Sequence, residues 1–317
     1  MLLAADPTDW QTFLQYTLSG LTFGALIALI ALGYTMVYGI VELINFAHGD
    51  LFMLGAFLAL TLLTWLGLDA SAGAANTGRV VLGLAACFLA CPLFCAVINF
   101  GVDRVVYKPL RNAPKLAPLV SAIGVSFVFM NVGLFWGGPQ DVNFPNLIPD
   151  DNLLGEASGV RFTYKDLMVL GVTAPLMVAL TLFVKFTPLG KAMRATAQDP
   201  TAAQLMGINT DRVIGATFAI GGGLGGVASV VYGLSINTVS YQMGYQNGLY
   251  AFTAAVLGGI GNIPGAVLGG VLIGLIRSWG SAYVGERWTS GLIFAVLIVI
   301  LVFRPSGLLG SRTREKV

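Results

Sequence analysis

From Val213 to Ile276 the chain contains no Asp, Glu, Lys, Arg or His. A water-facing fold of that length would need charged side chains on its surface, whereas a membrane helix needs only about 20 apolar residues to cross a hydrocarbon core of about 30 Å. The rest of the sequence agrees. It is 56% hydrophobic and 10% charged, against about 25% charged in soluble globular domains. A bilayer is therefore its main solvent. Helices satisfy their backbone polar groups internally, so an all-α integral membrane protein is expected. The net charge of +2 gives no case for nucleic acid.

Windows long and apolar enough to cross a bilayer run at about 13–38, 47–67, 80–100, 118–137, 167–185, 213–235, 244–263, 265–283 and 288–303. This predicts a bundle of about nine spans. The range is eight to ten, because "GNIPG" interrupts the seventh and eighth. The opening "MLLAADPTDW" has no basic n-region, so the first run is expected to remain as a span rather than be cleaved. Lys and Arg prefer the cytoplasmic side. With the N-terminus outside and nine spans, the inside receives Arg104, Lys108, Arg111, Lys115, Lys185, Lys191, Arg194, Arg212, Arg304, Arg312, Arg314 and Lys316. These are twelve of the 17 basic residues, so the pattern predicts the N-terminus outside and the C-terminus inside.

Small residues recur at four-residue spacing: Gly20 and Gly24, Gly221 and Gly225, Gly222 and Gly226, Gly261, Gly265 and Gly269, then Gly270 and Gly274. That spacing lets helix backbones approach closely in lipid, and the same glycines could serve against a second membrane subunit. Cys87, Cys91 and Cys95 share one helical stripe. The stripe suits helix packing; nothing else in the sequence supports a soft-metal site. The chain has no GxxxxGK[ST] phosphate loop, HExxH, CxxC pair or GxSxG, so neither ATP binding of the P-loop kind nor an enzyme is indicated. Three predicted spans lack the intramembrane ionisable groups that proton- or voltage-coupled transporters use. Any active transport by this chain would draw its energy from another polypeptide.

Two segments carry the polar chemistry. "INFAHGDLFMLG", residues 44–55, places Asn45, the lone histidine His48 and Asp50 between the first two spans. The segment is expected as a polar hinge at the inner mouth of a translocation path. Asn45 would cap the second span and Asp50 would complement its dipole. Asn237 and Asn262 are further pathway candidates. For all five, local capping and interhelix hydrogen bonding is an equal alternative. The second segment, about 187–211, has the grammar of a short helix. Asp199 serves as cap, Pro200 occupies the first position, and Gly207 lies beyond the end. Ala203, Leu205 and Met206 would be available to dock, with Lys191 and Arg194 just before them. It could lie on the bilayer surface or project into a groove of a cytoplasmic motor.

The stretches "YTMVYGIVELINFAHGDLFMLGAF", "RATAQDPTAAQLMGINTDRVI" and "AFTAAVLGGIGNIPGAVLGG" closely resemble the LivH-type permeases of ABC importers for branched-chain amino acids, collinearly over about residues 12–304. Glu42 is acidic where the family commonly has a neutral residue, and Asp50 is shorter than the more usual Glu. The resemblance implies a single permease domain over 1–317 in a bacterial inner membrane. It implies a LivM-type second permease, two cytoplasmic ATPases holding ATP and Mg, and a periplasmic binding protein; this chain would bind no cofactor itself. Residues 191–208 would be the coupling segment, with Arg194, Asp199, Pro200, Ala203, Leu205, Met206 and Gly207 carrying it. Related systems also carry urea, short amides and other amino acids. The competing reading is a passive channel, with "NFAHGD" and "GNIPGA" as half-helix turns.

Overall fold

The structure, a computed structural model, describes residues 9–41, 43–68, 77–111, 113–114, 116–155 and 159–310. Glu42, Lys115, Arg312, Arg314 and Lys316 lie outside them. Helices dominate: α1 (Asp9–Val41), α2 (Ala47–Trp65), α3 (Thr77–Val102), α4 (Lys108–Leu110), α5 (Leu116–Gly137), α6 (Tyr164–Phe186), α7 (Pro188–Gln198), α8 (Pro200–Leu205), α9 (Thr210–Ile236), α10 (Met243–Gly258), α11 (Ile263–Tyr283) and α12 (Glu286–Phe303). A π-helical turn, Asp103–Tyr107, joins α3 to α4. Two short strands, β1 (Val142–Asn143) and β2 (Thr238–Val239), pair antiparallel.

Every apolar window of the sequence becomes a helix, but the seventh is short. Among the described residues, eight helices are long and apolar enough to cross a membrane. With 16 residues, α10 reaches only about 24 Å at 1.5 Å per residue. Gly259 and Gly261 stop it, with φ of 105° and 89°. These values lie in the left-handed region that glycine tolerates best. The chain therefore turns back early, and α10 and α11 form a shallow hairpin. Segment 307–310 closes the elbow, with Leu308 N–H donating to Leu257 O and Leu309 N–H to Gly258 O, each at 2.9 Å.

The first helix is the axis of the bundle. Leu26 to Leu32 are all 0–2% exposed, so this stretch is enclosed on every side by other helices rather than facing lipid. It runs antiparallel to α11 through glycine contacts. A Cβ on Gly24 would lie 2.7 Å from Val271 Cα, one on Gly270 would lie 2.8 Å from Ala28 Cα, and one on Gly274 would collide with the α1 backbone at Gly20 and Gly24. Gly261 backs onto Gly39, Gly265 onto Gly258, and Gly269 onto the Ala254 carbonyl. The buried cysteines meet the α9 glycines: a Cβ on Gly226 would fall 2.5 Å from Cys91 O, and one on Gly222 would strike Cys95 O. Helices α1, α2 and α9 occupy the centre, while α5, α6 and α12 are largely exposed around it.

Candidate functional site

The polar hinge lies deeper than a rim. His48 packs against Gly33 of α1 and Gly225 of α9. Gly33 is eight residues from the C-terminal end of α1, and Gly225 is fifteen residues into α9. At 1.5 Å per residue, His48 therefore sits roughly 12–22 Å inside the end of the bundle that carries α7 and α8. Beyond α1 the chain climbs back before starting α2 at mid-depth. The expectation of a hinge at the mouth is corrected accordingly.

Non-helical backbone at such depth is tolerated only where protein satisfies it, and Asn45 organises that satisfaction. Its amide donates to Asn99 Oδ1 (3.2 Å), and its carbonyl oxygen accepts from the Tyr107 hydroxyl (2.8 Å). Asn99 donates in turn to the Phe218 carbonyl at 2.7 Å. The side chain of Asn45 is thus committed to α3 and the π turn and does not cap α2, whose N-cap is Phe46 without a side-chain bond. The imidazole of His48 lies 4.9 Å from the Tyr34 ring, edge to face. Asp50 is 1% exposed. One of its oxygens accepts from Ser126 Oγ of α5, and the other is buried without a hydrogen-bond partner. A cavity of about 280 Å³ opens beside this pair between α1, α5 and α10, and a larger one of about 480 Å³ adjoins it along α10.

The other two asparagines lie elsewhere. Asn237 ends α9 in the left-handed conformation, φ 57°. It accepts from Lys165 Nζ at 2.5 Å and donates to the Phe144 and Pro145 carbonyls. Lys165 also pairs with Asp150 at 2.8 Å, so this corner pins the long loop after α5 onto the bundle. The Lys165 hydrogen bond holds the Asp150 carboxyl below the usual carboxylate range. Asn262 caps α11, accepting from Gly265 N–H (3.1 Å) and donating to Leu309 O (2.7 Å). Neither is near His48.

Segment 187–211 divides into two capped helices. Thr187 caps α7 by accepting from Gly190 N–H at 3.0 Å. Met193 is buried in a cluster with Leu32, Met36, Leu180 and Val213, which ties α7 to the axis. Asp199 caps α8 by accepting from Thr201 and Ala202 N–H, both at 2.9 Å, with Pro200 at the first position. At its end Gly207 takes φ 81°. Gly207 N–H bonds Gln204 O and Ile208 N–H bonds Ala203 O, the paired bonds of a Schellman stop. Leu205 and Met206 are 85% and 82% exposed, but Ala203 is 4% exposed. Ala203 faces inward and is not available to dock. Arg194 is also engaged, donating to the Val184 carbonyl at the end of α6.

A charge web that the sequence did not reveal lies beside these helices. Arg111 pairs with Asp103 (2.6 Å) and Asp211 (2.5 Å), and Lys108 with Asp211 (2.7 Å). It joins the π turn to the first turn of α9, a hundred residues apart, where no local pattern could signal it. Gln204 of α8 donates to Thr210 at 2.7 Å. The projecting helix, the charge web and the Asn45 cluster are therefore contiguous.

Eight helices long and apolar enough to cross a membrane among the described residues, a buried polar break between the first two and a projecting capped helix are the features of a multi-pass membrane protein. The profile of the family described as "branched-chain amino acid transport system / permease component" matches residues 16–302. The chain belongs to that family. It is 42% identical to the high-affinity branched-chain amino acid transport system permease protein BraD of Pseudomonas aeruginosa over 310 residues, 96% of this chain and 98% of that one. Identity to LivH of Escherichia coli K12 is 39% with the same coverage. LivM of Salmonella typhimurium is 23% identical over 89% of this chain and 67% of its own length.

Proposed function

We propose that the chain is the translocating membrane subunit of an ATP-driven importer of branched-chain amino acids, working beside a LivM-type second permease in a bacterial inner membrane. Two cytoplasmic ATPases would hold ATP and Mg, and a periplasmic binding protein would deliver the zwitterion. With the short α10 counted as a ninth pass, the N-terminus would lie outside and the C-terminus inside, the sense in which twelve of the 17 basic residues of the sequence fall on the inner side. One observation carries the reading. Helix α8 is stopped at both ends by specific hydrogen bonds, yet it leaves Leu205 and Met206 open to solvent. A helix so fixed in shape, with its apolar tip unpartnered, suits a groove on a motor. Motion of that motor would pass through α7 and α9 to the bundle.

Proteoliposomes holding all the components should take up leucine only while ATP is hydrolysed. Full uptake with the ATPases omitted would refute the proposal and favour a passive channel. Leu205→Asp with Met206→Asp should abolish co-purification of the ATPases and change stability by no more than about 0.5 kcal/mol, as surface substitutions do. Undiminished co-purification would remove α8 from the coupling role.

A further inference from the structure

We infer that Ser126 and Asp50 form the ammonium end of a substrate site, with the 280 Å³ cavity beside them receiving an aliphatic side chain. The inference rests on the transport reading above and adds a place and a chemistry to it.

The cavity is lined by Tyr34, Phe46, Ser126, Phe127, Met130 and Leu249 among others. Its volume falls just below the roughly 300–1,000 Å³ of pockets for drug-sized ligands, so it suits a smaller solute. The apolar wall requires an apolar body. The polar end requires a donor, for the following reason. The hydroxyl proton of Ser126 is committed to Asp50, so what Ser126 offers the cavity is lone pairs, backed by a carboxylate. The second Asp50 oxygen has no hydrogen-bond partner, although the residue is 1% exposed. A buried carboxylate is costly unless it is paired.

The one basic side chain on α2, His48, is turned to Gly33 and Gly225 and makes no hydrogen bond to Asp50. Asp50 makes no ion pair among the described residues. Helices α1, α5 and α10 contain no Lys, Arg or His. Ser126 is the member of the pair that lines the cavity; Asp50 stands behind it, with Gly244 of α10 packed against Oδ1, where a Cβ would fall 2.8 Å away. The complement of this end is a compact cation with N–H donors. Joined to the apolar wall, that describes an α-ammonium group with a branched aliphatic side chain. The substrate carboxylate would then point along α10 into the adjoining cavity, where Gln242 and Gln246 stand.

The test uses the complete transporter in nanodiscs, with the binding protein absent, and radiolabelled leucine as the probe. Wild type should bind leucine. Isopentylamine, which keeps the ammonium and loses the carboxylate, should displace it; isovalerate, which does the opposite, should not. Ser126→Ala should weaken leucine binding about tenfold, and Asp50→Asn should abolish it. In the full uptake assay Ser126→Ala should raise KM and leave the dependence on ATP intact. Unchanged leucine affinity and KM in Ser126→Ala would overturn the assignment even if Asp50→Asn failed to assemble. Displacement by isovalerate but not by the amine would also overturn it. Failure of the transport reading would look different, as wild-type uptake of branched-chain amino acids that proceeds without ATP.

Discussion

The charge web at the ends of α3 and α9 gives a prediction in which burial, rather than the number of ion pairs, decides the outcome. The Asp103 side chain is fully enclosed and that of Arg111 is 16% exposed, whereas Asp211 is 43% exposed. Arg111→Met leaves the Asp103 carboxylate buried without its counter-charge. Breaking a buried pair in this way costs about 3–5 kcal/mol, or about two to four powers of ten in the folding equilibrium. Asp211→Asn removes pairs whose carboxylate is solvent-screened and leaves Arg111 its bond to Asp103, so it should cost about 0–1 kcal/mol. The double variant Arg111→Met with Asp103→Leu removes both buried charges together. It should recover most of the loss, because replacing a buried pair by apolar groups is often neutral or better. Reversible unfolding of the purified permease in mixed micelles, followed by tryptophan fluorescence, measures all three. An Asp211→Asn cost equal to that of Arg111→Met would refute the reasoning. So would a double variant no more stable than Arg111→Met alone.

Helix contact and the outer loop supply two more. Gly24→Ala places a methyl 2.7 Å from Val271 Cα and should cost about 1–3 kcal/mol by overpacking. Gly171→Ala on α6 meets nothing within 4 Å and should be neutral or stabilising by up to about 1 kcal/mol; thermal unfolding of the two in detergent gives the comparison. The Asp150 carboxyl is held below its ordinary value by Lys165. Its contribution is therefore complete above the unfolded pKa of about 3.9 and is lost as pH falls through the lower folded value. Protease cutting within 138–163 should rise below about pH 4 in wild type, and Asp150→Asn should lack that step.

The spans were legible because hydropathy over 20 residues measures what lipid demands. Depth was not, because the apolar run of α2 reads the same whether the helix starts at a membrane surface or beside Gly225. Asn45, His48 and Asp50 therefore looked like a rim. The short α10 was half visible: "GNIPG" signalled a break, but only the φ values of Gly259 and Gly261 fix where the helix stops. The caps of α8 could be read directly, since Asp199, Pro200 and Gly207 act within a few residues of themselves. Ala203 could have been placed correctly from periodicity, for at 3.6 residues per turn it stands on the opposite face from Leu205. The Asp103–Arg111–Asp211 web and the Ser126 partner of Asp50 join segments far apart in sequence, and no local pattern encodes them.

The axial position of α1 bears on how the molecule is made. Its glycine face is matched to Gly270 and Gly274 of α11, some 250 residues later in synthesis. Helix α1 must wait, with its glycine face unmatched, until the chain as far as α11 has been delivered. Contacts of such sequence separation form late and slowly. A ribosome stalled before residue 263 would leave α1 beside α6, α9 and α10 but with its glycine face open where α11 belongs. Quality control of this permease should therefore act on the completeness of the chain, read out at its beginning.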